Sequence, residues 1–241
     1  MTVATAVTVA KGSGITYNPP KPEEAPQEIR EAIILGYNIL TDTPKYAPSF
    51  SGNKLSCTNC HFNSGISESG KNGGLSLEGV GAKYPLYRDR QKYSVDMVLR
   101  VSDCFERSMN GVIPPVTSKE MQSVLVYLQW ISKDIPIYND VPWLKTLTLK
   151  TDHKGNAEVG RQVFAQNCAI CHSTDGAGTM MAPAVFGDNS YNDGAGMGRL
   201  ATLAAFAFYN MPKGNPNLTE EQAVDVAEFV DSQPRPHFIK K

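Results

Sequence analysis

Apolar residues recur at helical spacing in two segments of the second half of the chain. The segment 157–172 predicts one helix, and 219–232 predicts another, in which Thr219 can cap the first turn and Gln222 completes a capping box. One apolar face of the first helix consists of Val159, Val163 and Phe164. The apolar stripe of the second consists of Ala223, Val226, Ala227 and Val230. We expect these two helices to pack as a pair.

The first half of the chain repeats this pattern with longer loops. Helices are predicted over 26–40 and 117–132. The apolar positions of the first of these helices are Ile29, Ile33, Ile34 and Tyr37. Matching positions 102 residues apart are Thr117 with Thr219, Val124 with Val226, and Tyr127 with Phe229. A constant offset indicates that one helical unit has been duplicated.

The helical pattern divides the chain into four parts. We predict an N-terminal extension over 1–25, a first domain over 26–135, a connector over 136–155 and a second domain over 156–241. The connector contains Pro136 and Pro142 but is apolar around 141–149, so we expect it to lie against a domain surface. The segments 65–81 and 174–198, rich in Gly, Ser and Asn, are predicted loops.

Four of the five cysteines belong to two CxxCH motifs. These motifs are Cys57-Thr58-Asn59-Cys60-His61 and Cys168-Ala169-Ile170-Cys171-His172. Such a motif is typical of haem c, because its thiols form thioethers with the porphyrin and its imidazole binds the iron. A redox disulfide would need a βαβ context, and a zinc site would need further close ligands. We therefore predict an all-α protein of two cytochrome c-type domains, each wrapped around one covalently bound haem c.

The sixth iron ligand of each haem decides between electron transfer and catalysis. In the second domain, Met211 lies 39 positions after His172 and precedes Pro212, which favours the extended backbone that an axial methionine needs. Competing methionines are Met180, Met181 and Met197. We predict His172 and Met211 as the axial ligands of an electron-transfer haem.

The corresponding place in the first domain is occupied by Cys104, 43 positions after His61. Spacing alone leaves Met97 and Met109 as rival ligands. An unpaired cysteine on an apolar helix face is also often a small packing residue. From its position, therefore, Cys104 is either an iron ligand or a residue of the core.

A helix predicted over 94–109 supplies the surroundings of Cys104. Arg100, Cys104 and Ser108 recur at every fourth position, so a cation and a hydroxyl would flank the sulfur on one stripe. The alternatives for the arginines are helix ion pairs of Asp96 with Arg100 and of Asp103 with Arg107, and solvated loop positions for Arg88 and Arg90.

Charge and hydropathy exclude several classes of function. The net charge is −1 and the pI is near 6.4, so we expect no nucleic acid as a partner. No apolar run approaches the roughly 20 residues of a membrane span. Because haem c is ordinarily attached outside the cytoplasm, we expect a periplasmic protein from which a signal peptide has been removed.

Three strings of residues resemble a known family. They are Asp103-Cys104-Phe105-Glu106-Arg107-Ser108-Met109-Asn110-Gly111, Tyr191-Asn192-Asp193-Gly194-Ala195-Gly196-Met197 and Met211-Pro212. Together with both CxxCH motifs, they resemble the thiosulfate dehydrogenases, dihaem cytochromes c that couple two thiosulfates into tetrathionate. The resemblance runs over about 28–238, nearly the whole chain.

The resemblance implies a role for each candidate residue. It implies His61 and Cys104 as the axial ligands of an active-site haem, and His172 and Met211 as those of the electron-transfer haem. The implied catalytic residues are Cys104, Arg90, Arg100 and Ser108, the last three lining the substrate pocket. It also implies a soluble electron acceptor, such as a small cytochrome c or a high-potential iron–sulfur protein.

One position departs from the family pattern. Some members carry a lysine directly before the axial methionine, where it can replace the methionine on the oxidised iron. Here that position is Asn210, so we expect His/Met ligation of the second haem in both redox states. Lys213, two residues beyond Met211, is the remaining candidate for such a replacement.

Three other functions fit the same motifs. A tetrathionate reductase would use the same site in the opposite direction. An electron-transfer cytochrome would carry two haems without catalytic activity, and Cys104 would only pack or set a potential. A sulfur-conjugating cytochrome would use a cysteine ligand to attach thiosulfate to a carrier protein, but the resemblance over the whole chain argues against it.

Overall fold

The computed structural model of the chain describes residues 14–70 and 72–239. Its α-helices are α1 (Gln27–Thr41), α2 (Thr43–Tyr46), α3 (Met97–Asp103), α4 (Lys119–Trp130), α5 (Ala157–Asn167), α6 (Ala169–His172), α7 (Leu200–Asn210) and α8 (Glu220–Asp231). Strands β1 (Leu86–Arg88) and β2 (Tyr93–Val95) form an antiparallel hairpin, and a π-helical turn, Cys104–Ser108, continues α3. Short 3₁₀ segments are Pro22–Glu24, Cys57–Asn59, Asn63–Gly65, Val80–Ala82, Pro142–Leu144 and Gly196–Gly198.

This architecture confirms the predicted all-α class, to which the structure adds only the small hairpin. The first 13 residues of the predicted N-terminal extension lie outside the described residues. Within the described ranges, every helix is too short or too polar to cross a membrane.

Helices α1 and α4 form the core of the first half. They cross at Gly36, where an added Cβ would lie 2.2 Å from the carbonyl oxygen of Ser123 and 2.6 Å from Cβ of Tyr127. The absence of a side chain at this glycine lets the two backbones approach closely. The buried residues around the crossing include Ile33, Ile39, Leu40, Met121, Val124 and Leu128.

Helices α5 and α8 repeat this crossing in the second half. An added Cβ on Gly160 would lie 1.9 Å from the carbonyl oxygen of Asp225 and 2.9 Å from Cβ of Phe229. Asp225 and Phe229 stand 102 positions after Ser123 and Tyr127, their counterparts at the first crossing. The offset read from the sequence therefore recurs in the contacts between the helices.

The capping box predicted at Thr219 is present. The Thr219 hydroxyl accepts from the N–H of Gln222 at 3.2 Å, and the Gln222 side chain accepts from the N–H of Thr219 at 3.0 Å. In α4 the capping residue is Ser118, which accepts from the N–H of Met121 and lies one residue after Thr117, the position that matches Thr219.

Three of the apolar positions in the predicted helices are exposed. Ile29 is 41% exposed, Ile34 36% and Val159 42%. The buried faces of α1 and α5 include Gly36 and Gly160, which a pattern of large apolar residues does not detect. The buried face of each helix therefore coincides only in part with its apolar pattern.

Helix α7 was not predicted. Its sequence, LATLAAFAFYN, is apolar almost throughout, so it lacks the polar face that distinguishes an amphipathic helix. Ala204, Ala205 and Phe206 are buried in it. The helix ends at Asn210, directly before Met211, and thus places the predicted axial methionine.

The segment after α4 lies against the first half of the chain. Val141 is fully buried and Trp143 is 5% exposed, packed with Ile15, Ala82 and Ile135. The indole N–H of Trp143 donates to the carbonyl oxygen of Glu78 at 3.0 Å. This segment is therefore packed structure rather than a free tether.

The two halves share an apolar interface. Leu55, Phe62 and Met109 of the first half pack with Tyr191, Ala195, Met197 and Phe206 of the second. Side-chain amides bridge the same boundary: Asn53 donates to the carbonyl oxygen of Ser190 at 3.1 Å, and Asn192 donates to that of Glu106 at 2.9 Å. These contacts hold the two CxxCH motifs at a fixed separation.

Candidate active site

The first CxxCH motif presents a histidine with a defined tautomer. Nδ1 of His61 lies 2.8 Å from the carbonyl oxygen of Leu75. Because a carbonyl can only accept, Nδ1 carries the proton and Nε2 is left with its lone pair. Burial lowers the pKa of His61 to about 4, so the imidazole is neutral at physiological pH.

The second motif repeats this arrangement. Nδ1 of His172 lies 2.8 Å from the carbonyl oxygen of Pro183, and burial lowers its pKa as well. A neutral imidazole whose Nδ1–H is held by a carbonyl is the ligand that a metal centre requires. Both motifs thus have the donor chemistry that haem c attachment needs.

A cavity of about 110 Å³ joins the first motif to α3 and its π-helical turn. Its lining includes Cys57, Cys60, His61, Arg100, Cys104 and Ser108. The structure therefore brings the predicted proximal histidine and the predicted thiol ligand to one space. Much of the remaining wall is apolar, from Leu40, Leu77, Val80, Val101, Phe105 and Leu128. Apolar side chains of this kind are what the porphyrin of a haem packs against.

A second cavity, of about 300 Å³, lies at the second motif. Its lining includes Cys168, Cys171, His172 and Met211. Among the rival methionines, Met181 and Met197 also line it, whereas Met180 is fully exposed. The predicted His172 and Met211 thus face the same space, as an axial pair must.

The two cavities are adjacent. Four residues line both of them: Ser56, Cys60, Ser108 and Met109. Cys60 belongs to the first CxxCH motif, so groups bound in the two cavities would be separated by little more than one layer of side chains.

The Cys104 sulfur is held by Arg100. Nη1 of Arg100 donates to Sγ of Cys104 at 2.8 Å. Its interaction with Cys104 raises the pKa of Arg100, against the opposing effect of burial. Asp96, the alternative partner of this arginine, caps α3 instead by accepting from the N–H of Leu99 at 2.8 Å. The ordinary helix ion pair is therefore excluded for Arg100.

The π-helical turn begins at Cys104 itself. Its hydrogen bond runs from the N–H of Met109 to the carbonyl oxygen of Cys104 at 3.0 Å. Asn53 then fixes the end of the turn by donating to the carbonyl oxygen of Ser108 at 2.9 Å. Such turns are frequent at functional sites, and this one keeps both Cys104 and Ser108 on the cavity wall.

The remaining arginines have different partners. Arg107 pairs with Asp103 at 3.0 Å, which is the helix ion pair that the sequence offered as an alternative. Arg90 donates to the carbonyl oxygen of Gly194, in the second half of the chain. Arg107 lies beside it, 3.4 Å from the same oxygen, and Arg90 is absent from the cavity wall described above. Burial and the charge of Arg107 lower the pKa of Arg90.

The residue before Met211 has a structural role. Asn210 is fully buried; its side-chain oxygen accepts from the N–H of Gly74 at 2.7 Å, and its amide donates to the carbonyl oxygen of Phe206 at 3.0 Å. Asn210 thus ties the end of α7 to a loop of the first half. Lys213 lies at the second cavity, with its ammonium 4.5 Å from the ring centroid of Phe62.

Sequence reasoning missed Tyr84, which lines the cavity at Cys104. Tyr84 lies in a loop just before β1, and its hydroxyl accepts from Nη1 of Arg88 at 3.1 Å. No periodic pattern includes this residue, so only the fold reveals that it faces Cys104.

Family models match both halves of the chain. The model described as "SoxA/TsdA, cytochrome c domain" matches residues 46–137, and "Cytochrome C oxidase, cbb3-type, subunit III" matches residues 155–230. With the mostly helical fold and the two motifs, these matches define the class: the chain is a cytochrome c-type protein with two such domains, as predicted.

Relatives that match most of the chain then identify the family. The chain is 34% identical over 238 residues to a thiosulfate dehydrogenase from Thiomonas intermedia (strain K12), covering 95% of this chain and 74% of that protein. It is 35% identical over 222 residues to a thiosulfate dehydrogenase from Allochromatium vinosum, covering 86% and 80% respectively. The chain belongs to the thiosulfate dehydrogenase family, which confirms the predicted enzyme class.

A solved structure supports the same assignment. The thiosulfate dehydrogenase TsdBA from Marichromatium purpuratum, in its as-isolated form, superposes with a TM-score of 0.84 at 26% identity. The match covers 91% of this chain and 50% of that chain. The fold described here is thus the fold of a thiosulfate dehydrogenase.

Proposed function

We propose that the chain oxidises two thiosulfates to tetrathionate and delivers two electrons to an external acceptor, such as a small cytochrome c or a high-potential iron–sulfur protein. The observation that carries this proposal is the Cys104 sulfur, held 2.8 Å from Arg100 in the cavity of His61. A thiol used only for packing would not be paired with a half-buried guanidinium, whose charge is costly to withdraw from water.

The proposed binding groups follow from the two cavities. Two haems c would be attached through the thiols of Cys57, Cys60, Cys168 and Cys171. His61 and Cys104 would bind the iron in the first cavity, and His172 and Met211 would bind it in the second. When bound, the haems would supply one-electron steps, which match a two-electron oxidation to single-electron acceptors. Because covalent attachment of this kind ordinarily takes place outside the cytoplasm, the proposed location of the protein is the periplasm.

Cys104 is the proposed nucleophile. Its thiolate forms a bond to the outer sulfur of one thiosulfate, giving a cysteine S-thiosulfonate and releasing two electrons to the acceptor. The outer sulfur of a second thiosulfate then attacks this sulfur–sulfur bond on the thiosulfate side. Tetrathionate leaves, and the cysteine thiolate is regenerated without further change in oxidation state.

The cavity wall lowers the cost of bringing anions together. Arg100 stabilises both the thiolate and the sulfonate group that the adduct carries, since its planar fork of donors matches sulfonate oxygens. Ser108 supplies a hydroxyl donor on the same wall. Arg90 contributes positive charge from the boundary with the second half, where Gly194 holds it.

The proposal is tested by mixing the haem-loaded protein with thiosulfate and an artificial one-electron oxidant. We expect continuous reduction of the oxidant and one tetrathionate for every two electrons transferred. The oxidant consumed is followed by absorbance and tetrathionate by chromatography. Reduction without tetrathionate, or no reduction at all, would reject the proposal and leave an electron-transfer cytochrome.

The Met211→Ala variant tests the second haem. Because a methionine ligand raises the potential of haem c, its loss is expected to lower the potential of one haem and leave the other unchanged. A spectroscopic redox titration resolves the two. Met180→Ala is the control, since Met180 is fully exposed. Two unchanged potentials in Met211→Ala would show that another residue, such as Met197, is the ligand.

A further inference from the structure

The cavity at Cys104 has a wall that the proposed chemistry does not yet use. Tyr84 lies on this wall, on the chain segment leading into the hairpin, while Arg100 and Cys104 lie on the helical wall. A polar group therefore lines the same cavity as Arg100 and Cys104, among side chains that are largely apolar.

The hairpin brings an arginine to the Tyr84 hydroxyl. Nη1 of Arg88 donates to this hydroxyl at 3.1 Å. Arg88 pairs with Tyr93 across the hairpin, and Val95, 1% exposed, anchors the second strand in the protein. Arg88 is therefore held by regular structure and is not a freely moving loop cation.

Both groups have unused binding capacity. Among the residues that the structure describes, Arg88 forms no ion pair, although nearby Asp103 pairs with Arg107 and Asp89 with Lys92. The hydroxyl proton of Tyr84 likewise has no acceptor within the described ranges, because its one hydrogen bond uses the oxygen. Together the two side chains offer a guanidinium and an O–H donor that an anion would satisfy.

We propose that Tyr84 and Arg88 form an outer anion subsite that binds the second thiosulfate. This inference rests on the proposed function, which requires two dianions in one reaction. Arg100 is occupied by the Cys104 sulfur and, after the first step, by the sulfonate joined to it. The second thiosulfate needs its own donors. Tyr84 lines the same cavity, and Arg88 is hydrogen-bonded to the Tyr84 hydroxyl.

The subsite acts in the second step only. There the outer sulfur of the second thiosulfate forms the new sulfur–sulfur bond, and the bond between Cys104 and the first thiosulfate breaks. Donors on the sulfonate of the incoming anion hold it in place and offset its repulsion from the adduct. Loss of these donors should therefore slow discharge of the adduct and leave its formation unchanged.

Two substitutions test the subsite in the haem-loaded protein. Tyr84→Phe removes the hydroxyl and keeps the ring, and Arg88→Gln removes the charge. Each is expected to raise the KM for thiosulfate about tenfold or more, the usual cost of losing a hydrogen bond to a charged group, with a smaller change in kcat. Rapid mixing followed by mass measurement should show the Cys104 adduct forming at the wild-type rate and disappearing more slowly.

Matched controls separate this role from general effects. Tyr87→Phe alters an exposed tyrosine of the same strand, and Lys92→Gln removes one exposed positive charge from the same hairpin. Both should behave as wild type. Arg88→Lys keeps the charge and should recover part of the loss, which a merely misfolded hairpin would not do.

The outcomes distinguish this inference from the proposed function. KM and kcat values within twofold of wild type in Tyr84→Phe and Arg88→Gln would overturn the subsite and leave thiosulfate oxidation standing. An equal rise in KM in Lys92→Gln would also overturn it, since hairpin charge alone would then explain the effect. A wild-type protein that does not oxidise thiosulfate would instead reject the function itself.

Discussion

A Cys104→Met variant is expected to lose thiosulfate oxidation by a factor on the order of a thousand or more. A thioether fills the same place in the cavity and can bind iron, but it cannot form a sulfur–sulfur bond to thiosulfate and be regenerated. The variant therefore separates the two roles proposed for Cys104, iron ligand and nucleophile. Initial rates with thiosulfate and an artificial oxidant measure the loss, and the haem spectrum shows that the protein is loaded.

The matched control for this variant is Ser102→Ala. Ser102 lies on the same helix, is buried, and bonds only to the carbonyl oxygen of Val98 at 2.8 Å, away from the cavity wall. It should retain nearly the full rate. A second variant, Cys104→Gly, removes the sulfur altogether. If both Cys104→Met and Cys104→Gly oxidise thiosulfate near the wild-type rate, the cysteine is not the nucleophile and only sets a haem potential or packs.

Local patterns predicted the parts of the site that depend on short spacings. The two CxxCH motifs and the stripe of Arg100, Cys104 and Ser108 follow from covalent chemistry and helical periodicity. The structure shows that all three residues of the stripe line one cavity, together with His61. The alternative pairing of Arg100 with Asp96 looked equally good in sequence. Three-dimensional packing decided it, because Asp96 is used as a cap.

Other parts of the site depend on contacts between distant segments, which periodicity does not encode. The carbonyl oxygen that fixes His61 belongs to Leu75, in a glycine-rich loop, and the one that holds Arg90 belongs to Gly194, 104 positions away. Tyr84, in the segment before β1, lines the same cavity although no local pattern connects it with α3. The glycines at the helix crossings are missed for a similar reason. A search for large apolar residues does not detect Gly36 and Gly160, because what matters at these positions is the absence of a side chain.

The helix crossing that is repeated in the two halves, α1 with α4 and α5 with α8, explains how distant segments are positioned around each cavity. Each CxxCH motif follows the first helix of a pair, α1 or α5, and the second helix, α4 or α8, closes over the same cavity: Val124 lines the first and Val226 the second. The spacing of a helix pair therefore sets the width of the space beside each motif. A change at either crossing glycine should alter both stability and haem binding.

A Gly160→Ala variant is expected to be destabilised by about 2 kcal/mol or more, which lowers the melting temperature by at least about 4–8 °C. Helix propensity predicts the opposite, because alanine favours a helix by about 1 kcal/mol over glycine. The added Cβ, however, would lie 1.9 Å from the carbonyl oxygen of Asp225, and backbone cannot move aside as a flexible side chain can. Helices α5 and α8 must separate, which loosens the packing of Val163 and Val226.

The control for this variant is Gly196→Ala, where the nearest atom to an added Cβ is the Arg199 guanidinium at 3.9 Å. Thermal unfolding followed by circular dichroism should place Gly196→Ala close to wild type and Gly160→Ala well below it. If Gly160→Ala melts at or above the wild-type temperature, propensity has prevailed over the clash. The close crossing would then not be what holds the second helix pair together, and the shared geometry of the two crossings would no longer explain the register of the two cavities.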